Sequence, residues 1–170
     1  LIIFSVIFAG FVLAAHVIRT SSGGTSYNIN EYIGFVYNIS INNSDSGQSA
    51  NITQVNITLP LGFLYIPGAA NGTTLVNYSF VNTSNVLSWS NFTYFLINGS
   101  TGNVLNYIWF NATASTPGNY NITVTTLNST GAFNSNISVT VNDTTIPSSI
   151  SFASPVEIDG TNLSRSNIQV

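Results

Sequence analysis

Charge is what this chain most lacks. Its 170 residues include only seven that carry formal charge: Arg19, Glu31, Asp45, Asp143, Glu157, Asp159 and Arg165. An ordinary soluble domain is about one-quarter charged, whereas this chain is 4% charged with a net charge of −3. Lysine is absent, so there is no cationic footprint for nucleic acid and no polybasic patch for lipid headgroups. The same absence excludes a lysine–asparagine or lysine–aspartate isopeptide cross-link. Cysteine is absent too, which excludes disulfides and thiolate metal sites. Five scattered carboxylates and one histidine make no usual catalytic set, so the chain reads as a protein that is not an enzyme. No metal or cofactor is expected beyond covalent N-linked glycans. Few titratable groups also mean little change of charge between neutral pH and about pH 2, which fits an acid habitat.

Against this stands one long apolar run. Leu1 to Ile18 contains no charge, and Arg19 ends it. A helix of this length spans about 27–30 Å, close to the thickness of a bilayer core. The run predicts a hydrophobic helix over residues 1–22. Ser5 and Ala9, and Gly10 and Ala14, stand four apart on two faces of that helix. Small residues so placed allow close helix packing where no hydrophobic drive exists. His16 reads as an interface residue near the helix end. A secretory signal has a basic start and an apolar stretch of about 7–15 residues. The run here is longer and lacks the basic start, so removal of a leader in front of it fits better.

The second strong signal is the triplet Asn-x-Ser/Thr. It occurs at Asn38, Asn42, Asn51, Asn56, Asn71, Asn77, Asn82, Asn91, Asn98, Asn111, Asn121, Asn128, Asn136, Asn142 and Asn162, fifteen of the 24 asparagines. Ser and Thr make up about a quarter of the chain, so chance would give roughly six such triplets. Each is an acceptor for N-glycosylation in an exported protein. At Asn51, Asn56, Asn121 and Asn136 the middle residue is Ile. On a strand that isoleucine faces the core, and the asparagine and hydroxyl both face out.

After residue 24 the pattern has period two. Ile33, Phe35, Tyr37, Ile39 and Ile41 alternate, as do Ile52, Val55, Ile57 and Leu59 with an irregularity after Ile52. Leu75–Val81, Phe92–Ile97 and Val104–Phe110 predict further strands. Tyr120, Ile122, Val124 and Thr126, then Phe133, Ile137, Val139 and Val141, complete the set. Turn signals at Pro60-Leu61-Gly62, Pro67-Gly68, Asn71-Gly72, Asn98-Gly99 and Pro117-Gly118 separate them. The expected fold is an N-terminal hydrophobic α-helix followed by an all-β, immunoglobulin-like sandwich. The chain divides into the helix at 1–22, a sandwich at 23–145, and a C-terminal extension or terminal strand at 146–170. The pattern from Asp143 to Thr161 resembles the opening of an immunoglobulin-like repeat in archaeal surface proteins. Asp143, Glu157 and Asp159 together read as a solvated acidic turn in preference to a hard-cation site. Trp89 and Trp109 are expected mostly in the core, with a sugar-binding patch as the other reading.

The run Leu1-Ile2-Ile3-Phe4, Leu13-Ala14-Ala15, Val17-Ile18 and Thr20-Ser21-Ser22-Gly23 resembles the mature N-terminus of archaeal type IV pilin-like proteins, archaellins in particular. The acidic residue near the mature start of bacterial pilins is missing. The resemblance implies leader removal by a prepilin-type peptidase, passage through the membrane before assembly, and a helical homopolymer of copies of the chain. In that polymer the helices form the core and the sugared heads the shell. The expected role is a structural subunit of an extracellular, N-glycosylated archaeal cell-surface filament, a pilus or an archaellum, touching surfaces or other cells. Two other readings stay open. In one, subunits join by exchange of a terminal strand; in the other, the chain is a membrane-anchored module that binds a surface layer or a sugar.

Overall fold

The computed structural model describes residues 16–44, 51–69, 71–99 and 105–145. Eleven strands among these residues form two sheets. The strands are β1 (His16–Thr20), β2 (Ser26–Asn30), β3 (Phe35–Asn43), β4 (Gln54–Thr58), β5 (Phe63–Ile66), β6 (Gly72–Thr73), β7 (Ser79–Thr83), β8 (Val86–Ser90), β9 (Leu105–Ala114), β10 (Gly118–Asn128) and β11 (Gly131–Asn142). A five-stranded sheet runs β1-β3-β9-β5, with β6 pairing the same side of β9 further along. A six-stranded sheet runs β2-β11-β10-β4-β8-β7. All pairs are antiparallel except β2 with β11.

Period-two patterning puts the core between the sheets. Tyr37, Ile39, Ile41, Ile108 and Phe110 from one sheet meet Val55, Ile57, Leu87, Ile122, Val124 and Ile137 from the other, all fully buried. Each such side chain contributes about 1.5–3 kcal/mol by leaving water, and this is what selects the register. Tyr37 stacks on Phe110 at 5.1 Å between ring centroids and packs edge-on against Tyr27 and Phe35. Its hydroxyl is buried and finds no hydrogen-bond partner among the described residues. Burial, with a smaller contribution from Tyr27, pushes its phenol well above the ordinary range.

The start of the chain corrects the sequence reading. Residues 16–20 are not helical: His16–Thr20 is strand β1, paired antiparallel with β3 from His16↔Asn43 to Thr20↔Ile39. Val17, Ile18 and Thr20 are β-branched, which suits a pleated surface. Pairing buries Ile18 and Thr20 while Val17 and Arg19 point outward. A sheet edge thus captures the end of an apolar run that looks helical by composition alone. His16 lies on the inner side, its Nδ1 2.7 Å from the Thr126 hydroxyl and its ring against Phe133. Ser5, Ala9, Gly10 and Ala14, the expected helix-packing positions, lie outside the described residues.

The chain then crosses to the other sheet. Asn38 of β3 lies beyond the end of the β1 ladder, where Ser21 N–H and the Tyr27 hydroxyl both bond its carbonyl. Asn38 N–H in turn donates to the Tyr27 oxygen at 3.0 Å. One side chain replaces a missing strand. Two further expectations need correction. Phe92–Ile97 is not a strand: Asn91 Oδ1 accepts the backbone N–H groups of Thr93 and Tyr94, an Asx turn that bends the chain. Only Leu96 and Ile97 are buried, Ile97 bridging Ile52. Leu75–Val81 is interrupted at Asn77, which is left-handed at φ 53°, so the strand begins at Ser79.

Candidate glycosylation and assembly surfaces

The outer face of the six-stranded sheet is built from uncharged polar side chains. Across β10 and β11 four consecutive outward pairs match a hydroxyl with an amide in register: Asn119↔Thr140, Asn121↔Ser138, Thr123↔Asn136 and Thr125↔Asn134. In each, the hydroxyl donates to the asparagine Oδ1, at 2.9, 3.3, 3.0 and 2.6 Å respectively. Two of the triplets therefore oppose each other and exchange bonds. The hydroxyl of Asn121-Ile122-Thr123 bonds Asn136, and that of Asn136-Ile137-Ser138 bonds Asn121. The carbonyl oxygens are used and the amide nitrogens, where a glycan attaches, are left outward. Asn56 lies in the same layer, accepting from Gln54, and Asn142 donates to Asn30 at 3.4 Å.

Ile57, Ile122 and Ile137 are fully buried beside Asn56, Asn121 and Asn136, which point outward as the spacing requires. Asn51 differs. Ile52 is buried, but Asn51 stands outside any strand and accepts the Gly99 N–H at 2.8 Å. Asn38, Asn42 and Asn111 project from the outer face of the five-stranded sheet and are half-buried. The side-chain oxygens of Asn38 and Asn111 are enclosed without a partner among the described residues. Asn77, Asn82 and Asn98 are exposed. Asn128 closes the β10–β11 turn by accepting the N–H groups of Thr130 and Gly131. Asn71 and Asn91 use their amide nitrogens within the fold. Asn71 donates to the carbonyls of Ile66 and Gly68, and Asn91 to that of Asn77. Asn162 lies outside the described residues.

The five-stranded sheet has a different outer face. Val17, Val36, Leu64 and Leu105 project from it and are exposed. Trp109 lies there as well, over Gly72, where an added Cβ would come within 2.6 Å of the indole. Trp89 instead belongs to the core rim, in contact with Phe80.

The acidic groups gather at one end. Asp143 was paired in the sequence reading with Glu157 and Asp159, which lie outside the described residues. The structure brings Glu31 beside it. Glu31 is buried, and its Oε1 accepts the N–H groups of Thr144 and Thr145 at 3.0 and 3.1 Å. Asp143 accepts the hydroxyl and N–H of Thr145. Those bonds hold the Asp143 carboxyl below its ordinary value of 3.8. No signal at Glu31 announces this in sequence, because 112 positions separate the two acids. Among the described residues no three His, Cys, Asp or Glu side chains form a metal-holding group. Nor is any described helix long and apolar enough to cross a membrane.

No protein-family model and no curated protein matches the chain. Solved structures do. The fold is similar to BcpA, the major pilin subunit of Bacillus cereus, with a TM-score of 0.51 and 12% identity over 74% of this chain and 40% of that one. This chain thus spans about two-fifths of that subunit's length. Weaker likeness extends to the CooA pilin subunit from enterotoxigenic Escherichia coli, with a TM-score of 0.32 and 11% identity over 78% of this chain and 99% of that one. It also extends to a family 123 glycoside hydrolase from Clostridium perfringens, with a TM-score of 0.34 and 15% identity over 71% of this chain and 23% of that one. The two-sheet sandwich thus resembles a pilin subunit in fold, and a fold by itself does not specify the use.

Proposed function

We propose that this chain is a structural subunit of an extracellular filament, assembled from copies of itself and N-glycosylated on its outer faces. The observation that carries the reading is a pilin-like sandwich whose first strand continues directly from a fifteen-residue apolar, uncharged segment, Leu1–Ala15. Such a segment is a joining element, because it has no place of its own in water. The resemblance of residues 1–23 makes the filament an archaeal pilus or archaellum. The pairing of β1 with β3 in one sheet and of β2 with β11 in the other fits an immunoglobulin-like head.

The strand at His16–Thr20 favours a second form of the same reading, in which subunits join by strand exchange instead of a helical core. The end of the apolar run is already extended and already on a sheet edge. Glycans then supply the solubility that charge does not. Electron microscopy of purified material tests the filament, and intact mass tests the sugars. Filaments are expected, with a mass several kilodaltons above the 18.1 kDa polypeptide. Dispersed particles would overturn the first part, and a bare mass the second.

A further inference from the structure

We infer that the cleft between β5–β6 and β7 is the acceptor for the Leu1–Ala15 segment of a second copy, which adds as a strand to the free edge of β7. This rests on the filament reading and names the surface that would carry it. β7 ends the six-stranded sheet, and no described strand pairs with its outer edge. All five of its residues are exposed, and the strand holds neither charge nor proline. Natural sheets usually protect such an edge with charge, proline or a covering element. Here the surroundings are uncharged and rich in aromatic rings instead. Tyr65, Tyr78, Phe80 and Trp89, with Asn71 and Gly72, line a cleft of about 180 Å³ between the two sheet edges. Val81, next to Phe80 in β7, is 53% exposed.

The occupant follows from composition and placement. A strand added to β7 has the aromatic lining on one face and Val81 beside the other, so apolar residues suit both. Strands buried on both faces read as continuous apolar runs. Leu1–Ala15 is such a run, and Ile2, Ile3, Phe4, Val6, Ile7, Phe8, Phe11 and Val12 are β-branched or aromatic. Neither the segment nor the cleft lining carries charge. Fifteen extended residues reach about 50 Å, against about 17 Å for a five-residue strand, so the segment can pass beyond its own sandwich. It leaves from β1, at the opposite end of the five-stranded sheet from β5 and β6. Donor and acceptor thus lie on opposite sides of one subunit. That heterologous contact repeats without closing and yields an open fibre.

The native chain has no cysteine, so introduced thiols report without background. The full chain carrying both Ser5→Cys and Val81→Cys is assembled, treated with a short bis-maleimide and run on a denaturing gel. A ladder of covalent oligomers is expected from the double variant, and none from Val81→Cys alone. Dimers from Ser5→Cys alone, with no ladder from the pair, would place the segments against one another as a helical core and overturn the proposal. Filaments with no cross-link at either site would overturn it as well. Failure of the unmodified chain to form filaments would instead remove the filament reading itself. As a second measurement, Val81→Lys should reduce polymer yield at least tenfold with an unchanged melting temperature. Thr140→Lys, on the polar face, should not change the yield. Equal polymer yield from both variants would refute the acceptor edge.

Discussion

The two outer faces of this sandwich solve the same problem in different ways. Both must face outward with almost no charge, Arg19 of β1 being the one charged side chain on them among the described residues. On the six-stranded sheet, hydroxyls and amides satisfy each other in register, from Asn119↔Thr140 to Thr125↔Asn134. The remaining amide nitrogens are left for water or sugar. On the five-stranded sheet, Val17, Val36, Leu64, Leu105 and Trp109 set apolar surface among Asn38, Asn42 and Asn111, with Trp109 over Gly72. A charge-poor protein can therefore be polar on one side and more apolar on another. Which side does which is set by the residues between the buried ones.

The sharpest break of the contrast is across a single strand. Ile122→Ala should destabilise by about 2–5 kcal/mol, since its fully buried side chain leaves a cavity between the sheets. Thr123→Val, one residue on, should cost less than about 1.5 kcal/mol, the net value of one exposed hydrogen bond. Urea unfolding of both variants checks the difference, and equal losses would mean that the register is wrong by one residue.

On the other face, Gly72→Val should cost about 1–3 kcal/mol by forcing the indole off the backbone. A red shift of tryptophan fluorescence should accompany it as Trp109 moves into solvent. An unchanged spectrum and melting temperature would show that the indole does not rest there.

A smaller effect separates hydroxyls inside from those outside. Those of the polar ladder have partners, but that of Tyr37 has none among the described residues. Tyr37→Phe should therefore stabilise by up to about 1–2 kcal/mol, because a buried polar group is removed at no loss of packing. A lower melting temperature would show a partner for that hydroxyl.

The smallest expected change is with acid. Asp143 is held below 3.8 in the folded chain, so its contribution is present above that value. It is lost as pH falls through the lower folded value. Neither outer face carries a carboxylate among the described residues. Melting curves at pH 7 and about pH 2 should differ little. A fall of tens of degrees would mean that a second carboxylate must stay ionised.

Long strands were legible from their alternation. β10 and β11 run eleven and twelve residues and bury every second one along their apolar halves. The irregularity after Ile52 was legible too, and it appears as an isolated bridge to Ile97 ahead of β4. Several short strands were not. β1, β2, β5 and β8 have five residues or fewer, and unlike β4, equally short, they lack an alternation that stands out from its neighbours. Phe92–Ile97 alternates like a strand but bends because Asn91 competes for its amides.

The sequence by itself determined composition-level facts: scarce charge, no thiol chemistry, a sandwich-forming period, fifteen glycan acceptors and an apolar leading segment. Those depend on residue types and on spacings of a few positions, which local physics reads directly. Only the tertiary structure decided that His16–Thr20 is a sheet edge and that Glu31 meets Asp143. It alone decided that two acceptor triplets face each other and that β7 is left open beside an aromatic cleft. Each of these depends on which strands become neighbours. That is settled by burying one continuous core, and no local spacing encodes it.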